Sequence, residues 1–252
     1  MTGPSGGNLS GKVIVVTGGA SGIGRAAVER CAAQGAAVVF GDLASSDGAA
    51  VAGGLHARGL GVTFVPVDVT VEAECARLMG AATDAFGRLD VLIACAGILQ
   101  GAFVDIADFD DEVFQHVLDV NVRGMFLSVK HAARAMSPRG GTILLIASGA
   151  GVIGGSSSYA YGTSKAAVHG LGRVLQANKD GTALRVNIVC PGNIATPLKI
   201  RNVEDAARAR GLSAAQLAAA RRGLADPDGV AKVLAFLASD DAAFVRGTIF
   251  TR

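Results

Sequence analysis

The sequence predicts an α/β fold with a doubly wound parallel sheet covered by helices on both faces. Three observations predict it. Apolar, β-branched runs alternate with helical stretches from residue 13 onward, the first run stops in a glycine-rich turn, and no linker composition divides the 252 residues. A chain of this length can bury a substantial core as a single domain.

Residues 1–11 are expected to form a flexible lead-in. The run 13–16 is continuous and β-branched, as for a strand buried on both faces, and it stops at Thr17-Gly18-Gly19. Gly18, Gly22 and Gly24 lack a Cβ, so the backbone can turn tightly and a following helix can pack close to the strand. The exposed N–H groups of such a turn, with the positive end of the helix, make a site for a diphosphate. The spacing is G-x-x-x-G-x-G and not the more familiar G-x-G-x-x-G. A second strand over 36–40 leads to Asp42, whose carboxylate can accept hydrogen bonds from a ribose. A helix over 45–58 and a strand over 62–67 follow. Thr70 is the expected N-cap of the next helix, in which Val71, Cys75, Leu78, Met79, Ala82 and Phe86 recur at helical spacing until Gly87 ends it. A strand over 89–94 closes on Cys95-Ala96-Gly97.

The stretch 108–136 reads as one long helix, with Phe114, Leu118, Met125, Val129 and Ala132 on one stripe. Asn121 lies on the same stripe. An amide there costs roughly 1–3 kcal/mol unless it is hydrogen-bonded, and both a structural and a functional role remain open. A strand over 142–147 leads to Ser148, then to a Gly/Ser loop. A helix over 159–177 carries Tyr161 and Lys165, and His169 one turn later reads as a packing or surface residue. A strand over 184–190 ends in Pro191-Gly192, a forced turn. An Ala- and Arg-rich helical flap (197–224), a helix over 227–238 and a short strand over 248–250 complete the chain.

Composition narrows the function. The formal net charge of +2, from 23 basic and 21 acidic residues, leaves no footprint for nucleic acid. Hydrophobic residues make up 50% of the chain and charged residues only 17%, a surface expected to be partly hidden in a homo-oligomer. No apolar run approaches the ~20 residues that span a bilayer, so a cytoplasmic protein is expected. Cys31, Cys75, Cys95 and Cys190 and the four histidines show no metal-binding spacing, and the cysteines are expected to be reduced.

Tyr161 and Lys165 are four apart, so on a helix they share a face about 6 Å apart. A lysine there is expected to lower the phenol pKa toward that of a general acid or base. Ser148 caps the preceding strand at the carboxyl edge, where its hydroxyl can polarise a carbonyl oxygen. With TGGASGIG (17–24), Asp42, Asp68-Val69, Cys95-Ala96-Gly97, Asn121, Ser148, YGTSK (161–165), PGNIAT (191–196) and FLASD (236–240), the chain from about residue 12 to 250 resembles the short-chain dehydrogenase/reductase family.

The resemblance implies a Rossmann-type seven-stranded parallel sheet. It also implies hydride transfer between a nicotinamide cofactor and an alcohol/carbonyl pair. In that scheme Tyr161 is the general acid/base, Lys165 lowers its pKa and holds the nicotinamide ribose, Ser148 steadies the reacting oxygen, and Asn121 positions a water. Cofactor contacts fall to Gly18, Ser21, Gly22, Ile23 and Gly24 at the diphosphate. Asp42 and Leu43 meet the adenosine ribose, and Asp68 and Val69 the adenine. Cys95, Ala96, Gly97, Pro191, Gly192, Ile194 and Thr196 extend the contacts toward the nicotinamide. The family forms dimers or tetramers through the helices near 125 and 168.

Asp42 suits a ribose diol and repels a 2′-phosphate, and neither Ser21 nor Leu43 supplies a cation, so NAD is expected over NADP. An NADPH-dependent 3-oxoacyl thioester reductase and a non-catalytic NAD-binding sensor are the alternatives. Ala94-Cys95 replaces the family's usual Asn-Asn, which removes amide contacts after the fourth strand. The family commonly continues through an acidic, glycine-rich tail beyond Arg252, so oligomer contacts and site closure are expected to differ. On the flap, Lys199, Arg201, Arg208, Arg210, Arg221 and Arg222 outnumber Glu204 and Asp205, which fits steering of an anionic substrate.

Overall fold

The computed structural model describes residues 8–137 and 139–251. Its strands are β1 (Val13–Thr17), β2 (Ala37–Asp42), β3 (Val62–Pro66), β4 (Val91–Ala94), β5 (Gly141–Ile146), β6 (Leu184–Cys190) and β7 (Gly247–Phe250). They form one seven-stranded, wholly parallel sheet in the order β3-β2-β1-β4-β5-β6-β7. Every residue of β1 and β4 is buried, as the unbroken apolar runs require of central strands covered on both faces. The chain winds outward from β1 toward β3, then crosses back to lay β4 on β1's other side. That reversal opens a crevice beyond the carboxyl ends of β1 and β4, the place where open α/β sheets bind ligands.

Helices α1 (Gly22–Ala33), α2 (Gly48–His56) and α9 (Pro227–Ala238) cover one face, over a core that includes Ile14, Phe40, Val91 and Leu234. Helices α3 (Glu72–Phe86), α5 (Gly124–Met136) and α6 (Tyr159–Lys179) cover the other, over Val15, Leu78, Leu92, Ile143 and Ile188. Each such fully buried side chain contributes about 1.5–3 kcal/mol. Helix α3 ends, as expected, at Gly87 in the left-handed region, at φ 71°.

Three expectations are corrected. The long helix is interrupted: α4 (Asp111–Leu118) passes through a π-turn, Asp119–Arg123, into α5. The wider turn carries Asn121 to full burial, and Gly124 behind it approaches Val69 so closely that a Cβ would lie 2.6 Å from Val69 Cγ2. A π-turn adds a residue without breaking the apolar stripe, so periodicity cannot reveal it. Thr70 does not cap α3. The cap is Val71, without a side-chain bond, because the Thr70 hydroxyl donates to Asp68 Oδ1 at 2.7 Å.

The lead-in is not loose over residues 8–11. Leu9 is fully buried, its N–H donates to the Gln34 carbonyl at 3.2 Å, and its carbonyl accepts from Lys12 N–H at 3.0 Å. A single apolar residue among polar neighbours gives no periodicity, although it completes the core under α1. Residues 1–7 of the lead-in lie outside the described residues.

The flap folds as α7 (Pro197–Arg210) and α8 (Ala214–Arg222), joined at Gly211 with φ 62°. Thr196 caps α7 through Lys199 N–H, and Ser213 with Gln216 forms a capping box on α8. Among the described residues, no helix is long and apolar enough to cross a membrane.

Leu9→Ala is expected to destabilise the fold by about 2–4 kcal/mol, as for other buried leucines. Urea unfolding with an unchanged slope checks it, and a loss below about 0.5 kcal/mol would show the segment to be dispensable.

Candidate active site

The glycine turn after β1 is held from beneath by backbone. Gly18 and Gly19 N–H groups donate to the Gly41 carbonyl at 2.8 and 3.1 Å. Gly18 has φ 70°, and a Cβ on it would lie 2.8 Å from Ala96 Cα; one on Gly24 would lie 2.0 Å from the Gly18 carbonyl oxygen. Both positions therefore require glycine. Asp42 is locked into the same unit, its carboxylate accepting from Ala20 N–H at 2.9 Å and Leu43 N–H at 2.8 Å. Ser21 gives α1 no side-chain cap, so the first-turn amides of the helix are left for a ligand. These features fit a dinucleotide: an uncapped helix end for the diphosphate and a carboxylate for a ribose.

The crevice opens into a cleft of about 1870 Å³. Gly18, Ser21, Gly22, Ile23, Gly24, Asp42, Leu43, Asp68 and Val69 line one end of it. Cys95, Ala96, Gly97, Ser148, Tyr161, Lys165, Pro191, Gly192, Ile194 and Thr196 line the rest. Thr196 closes over the glycine turn, its Cγ2 3.0 Å from where a Gly22 Cβ would stand. Asp68 is fixed by Thr70, whose N–H and hydroxyl both donate to its Oδ1. The amide contacts missing at Ala94-Cys95 are replaced by Thr17, whose hydroxyl accepts from the N–H groups of Cys95 and Ala96 at 3.1 and 3.3 Å.

Asn121 lies behind the cleft. Its Oδ1 accepts from Ile98 N–H at 2.8 Å, and its Nδ2 donates to the Ile98 carbonyl and to Ser164 Oγ, both at 2.9 Å. Both amide protons are thus used, and the side chain ties loop 97–98 to α6. Ser164 in turn donates to the Tyr161 carbonyl at 2.8 Å. On α6, Lys165 is 4% exposed; its Nζ donates to the Ile146 carbonyl at 3.0 Å and stands 5.6 Å from the Tyr161 ring centroid. Ser148 faces the phenol from the end of β5.

A family model described as short chain dehydrogenase matches residues 12–207. The chain belongs to the short-chain dehydrogenase family. It is 41% identical to the cis-4-hydroxycyclohexanecarboxylate dehydrogenase of Sinomonas cyclohexanicum, covering 94% of this chain and 93% of that one. It is 36% identical to (+)-borneol dehydrogenase 2 of Salvia officinalis, covering 95% and 87%. A solved levodione reductase superposes with a TM-score of 0.87 at 29% identity, covering 96% of each chain. Dehydrogenases of this family use nicotinamide cofactors, and this chain is accordingly an oxidoreductase.

In this short-chain dehydrogenase the phenol does not follow the expectation drawn from Lys165. Burial pushes the Tyr161 pKa above its ordinary value, and the Ser148 hydroxyl pulls it back only in part. The lysine itself is driven down to about 8 by burial. Its ammonium is committed to Ile146, and low-dielectric surroundings outweigh the helical spacing. Burial likewise raises the Cys95 thiol to about 11, which keeps it protonated at neutral pH. His169 bonds Thr248 Oγ1 at 3.0 Å, joining α6 to β7, and is structural.

Sequence reading missed Thr17, Ser164 and the tie from Asn202 Nδ2 to Ser157 Oγ at 2.8 Å. A polar residue three after Tyr161, on a helix facing Asn121, is the signal that marks Ser164. Thr17 opens the TGGASGIG motif, but nothing local shows that its hydroxyl meets Cys95 and Ala96. Phe103 is a further surprise, a non-glycine residue at φ 63° on the cleft wall with the Arg210 guanidinium 5.8 Å from its ring centroid. Such conformations cluster at ligand clamps.

Lys165 supplies a stability test. Its pKa falls from 10.5 in the unfolded chain to about 8 in the fold. Between those pH values the unfolded state holds the extra proton, so stability rises with pH across that window, and the cost is in full force below it. At pH 7 this is a burden of about 3 kcal/mol, against about 1 kcal/mol for the bond to Ile146. Lys165→Met is therefore expected to stabilise the cofactor-free protein by about 2 kcal/mol, raising Tm by roughly 4–8 °C. Thermal unfolding at pH 7 checks it, and a lowered Tm would refute the assignment of a costly buried charge.

Proposed function

We propose that this short-chain dehydrogenase interconverts a secondary alcohol and its ketone with NAD as the cofactor, and that Tyr161 moves the proton. The observation that carries this reading is the convergence of Ser148, Tyr161 and Lys165 in the same cleft as the uncapped end of α1 and the Asp42 carboxylate. When bound, the nicotinamide supplies the hydride chemistry.

The chain's own groups do the rest. Tyr161 Oη takes the hydroxyl proton in oxidation and returns it to the ketone oxygen in reduction. Ser148 donates to that oxygen as its charge changes. Lys165 would offer the nicotinamide ribose the N–H donors that its bond to Ile146 leaves free. Asn121, with both of its amide protons already donated, acts as a positioning residue that fixes loop 97–98 and Ser164. Asp42 takes the adenosine ribose, with Leu43, Asp68 and Val69 walling the adenine end. Gly18, Ser21, Gly22, Ile23 and Gly24 hold the diphosphate. Cys95, Ala96, Gly97, Pro191, Gly192, Ile194 and Thr196 enclose the nicotinamide.

The named substrates of relatives support a cyclic secondary alcohol: a hydroxycyclohexanecarboxylate, borneol and, in a relative 33% identical from Eggerthella lenta, a 3β-hydroxysteroid. The protein works as a single domain, in the cytoplasm, and as a homo-oligomer whose copies meet through α5 and α6, where Phe126 and Val174 are exposed.

Tyr161→Phe is expected to cut turnover of a cyclic ketone by about 10²–10⁴-fold, the range for loss of a general acid/base, while leaving NADH affinity within about threefold. Stopped assays with NADH fluorescence titration read both, and full activity in the variant would refute the proton-transfer role. For the cofactor, the unmodified protein is expected to bind NADH at least about tenfold more tightly than NADPH, and Asp42→Ala to erase most of that difference. Equal affinities in the unmodified protein would refute the assignment of NAD.

A further inference from the structure

The flap carries six cations, and the structure divides them. Arg208 pairs with Asp205 and Arg221 with Glu204, on the flap's own surface. Among the described residues, Lys199, Arg201 and Arg210 have no carboxylate partner, and all three line the cleft. Lys199 and Arg210 are eleven residues apart on α7, on the stripe formed by Lys199, Asn202, Val203, Ala206 and Arg210, every member of which faces the cleft. The stripe spans about 16 Å.

Two contacts orient it. Asn202 is buried and bonds Ser157 in the loop that follows Ser148, and Arg210 stands over Phe103 on the opposite wall. These contacts set Asn202 and Arg210 on the side of the cleft lined by Ser157 and Phe103, while Lys199 stands at the other end of the stripe, three residues after the Thr196 that closes over the glycine turn. Lys199 is partly buried, and burial lowers its pKa without any acidic group of the chain acting to restore it. Its backbone is immobilised by the Thr196 cap. A cation paid for in this way, on a fixed backbone and without an internal partner, is complementary to an anion brought from outside. Asp105 also lines the cleft, but its carboxylate caps Ala107 N–H at 3.0 Å.

We infer that Lys199 is a specificity-determining residue that binds a carboxylate carried by the alcohol or ketone substrate, with Arg210 attracting that anion at the mouth of the cleft. The inference rests on the dehydrogenase reading above and adds the charge of the substrate to it.

The test uses the full-length protein with NAD and two probes, cis-4-hydroxycyclohexanecarboxylate and its methyl ester. The ratio of kcat/KM for acid over ester is measured in the unmodified protein, Lys199→Met, Lys199→Arg and Arg222→Met. NADH affinity is measured by fluorescence in each. The acid is expected to be preferred in the unmodified protein. Lys199→Met is expected to lower the ratio about 10- to 100-fold, chiefly through the KM for the acid. Lys199→Arg should restore part of the ratio, and Arg222→Met, whose side chain lies outside the cleft, should leave it unchanged. The Arg210 contribution appears as a salt-dependent kcat/KM for the acid that Arg210→Met flattens.

Equal use of acid and ester by the unmodified protein overturns the inference while leaving the dehydrogenase reading intact. A loss of NADH affinity in Lys199→Met that accounts for its whole effect also overturns it, by assigning the lysine to the cofactor diphosphate. Turnover of both probes that survives Tyr161→Phe removes the underlying reading and the inference with it.

Discussion

A lysine ammonium buried at the end of a β-strand demands more partners than this chain gives it. Lys165 has three donors and, within the protein, one acceptor, the Ile146 carbonyl. Desolvation has taken its water away, and the helix that carries it cannot swing it back to solvent. The site is thus built with unmet polar demand at its centre, and a bound ligand with hydroxyl groups reduces that demand. The same logic recurs along the cleft, in the uncapped amides of α1 and in the half-buried ammonium of Lys199. Binding energy in such a site comes largely from completing interactions that folding has left open.

Those open interactions can be tolerated because the surrounding frame is closed. Thr17, Asn121 and Ser164 spend their hydrogen bonds on backbone or on one another, and each ties together two segments that the sequence keeps far apart. The frame is therefore rigid where the cofactor and the reacting oxygen must be held. The flap, by contrast, reaches the catalytic loop through few polar ties, among them the one between Asn202 and Ser157. Specificity is assigned to the part of the fold that varies most easily, and chemistry to the part that does not.

The layout of the fold was legible because it depends on local signals. Buried parallel strands read as unbroken apolar runs, the glycine turn and Gly87 are forced by backbone conformation, and Tyr161, Lys165 and Ser148 sit at element positions that the alternation fixes. What was not legible depends on pairs far apart in sequence. Thr17 meets Cys95 and Ala96 only after β1 and β4 pair. Thr70 turns away from the helix because Asp68 offers a carboxylate. The π-turn at Asn121 leaves the apolar stripe looking continuous. Leu9 joins the core without any periodic neighbour, and the Tyr161 pKa answers to burial, which helical spacing does not report.

Asp42 constrains any redesign of the nucleotide end of the cleft. The carboxylate that faces the expected ribose also holds Ala20 N–H, and so shapes the loop that leads into α1. Exchanging it for a neutral residue removes a charge and an internal brace together. A variant meant to accept a phosphorylated nucleotide therefore needs two changes made as a pair: a new cation for the phosphate, and a new acceptor that keeps the glycine turn in place. Cofactor preference in this scaffold is inherited with the loop's architecture, and evolution or engineering must move both at once.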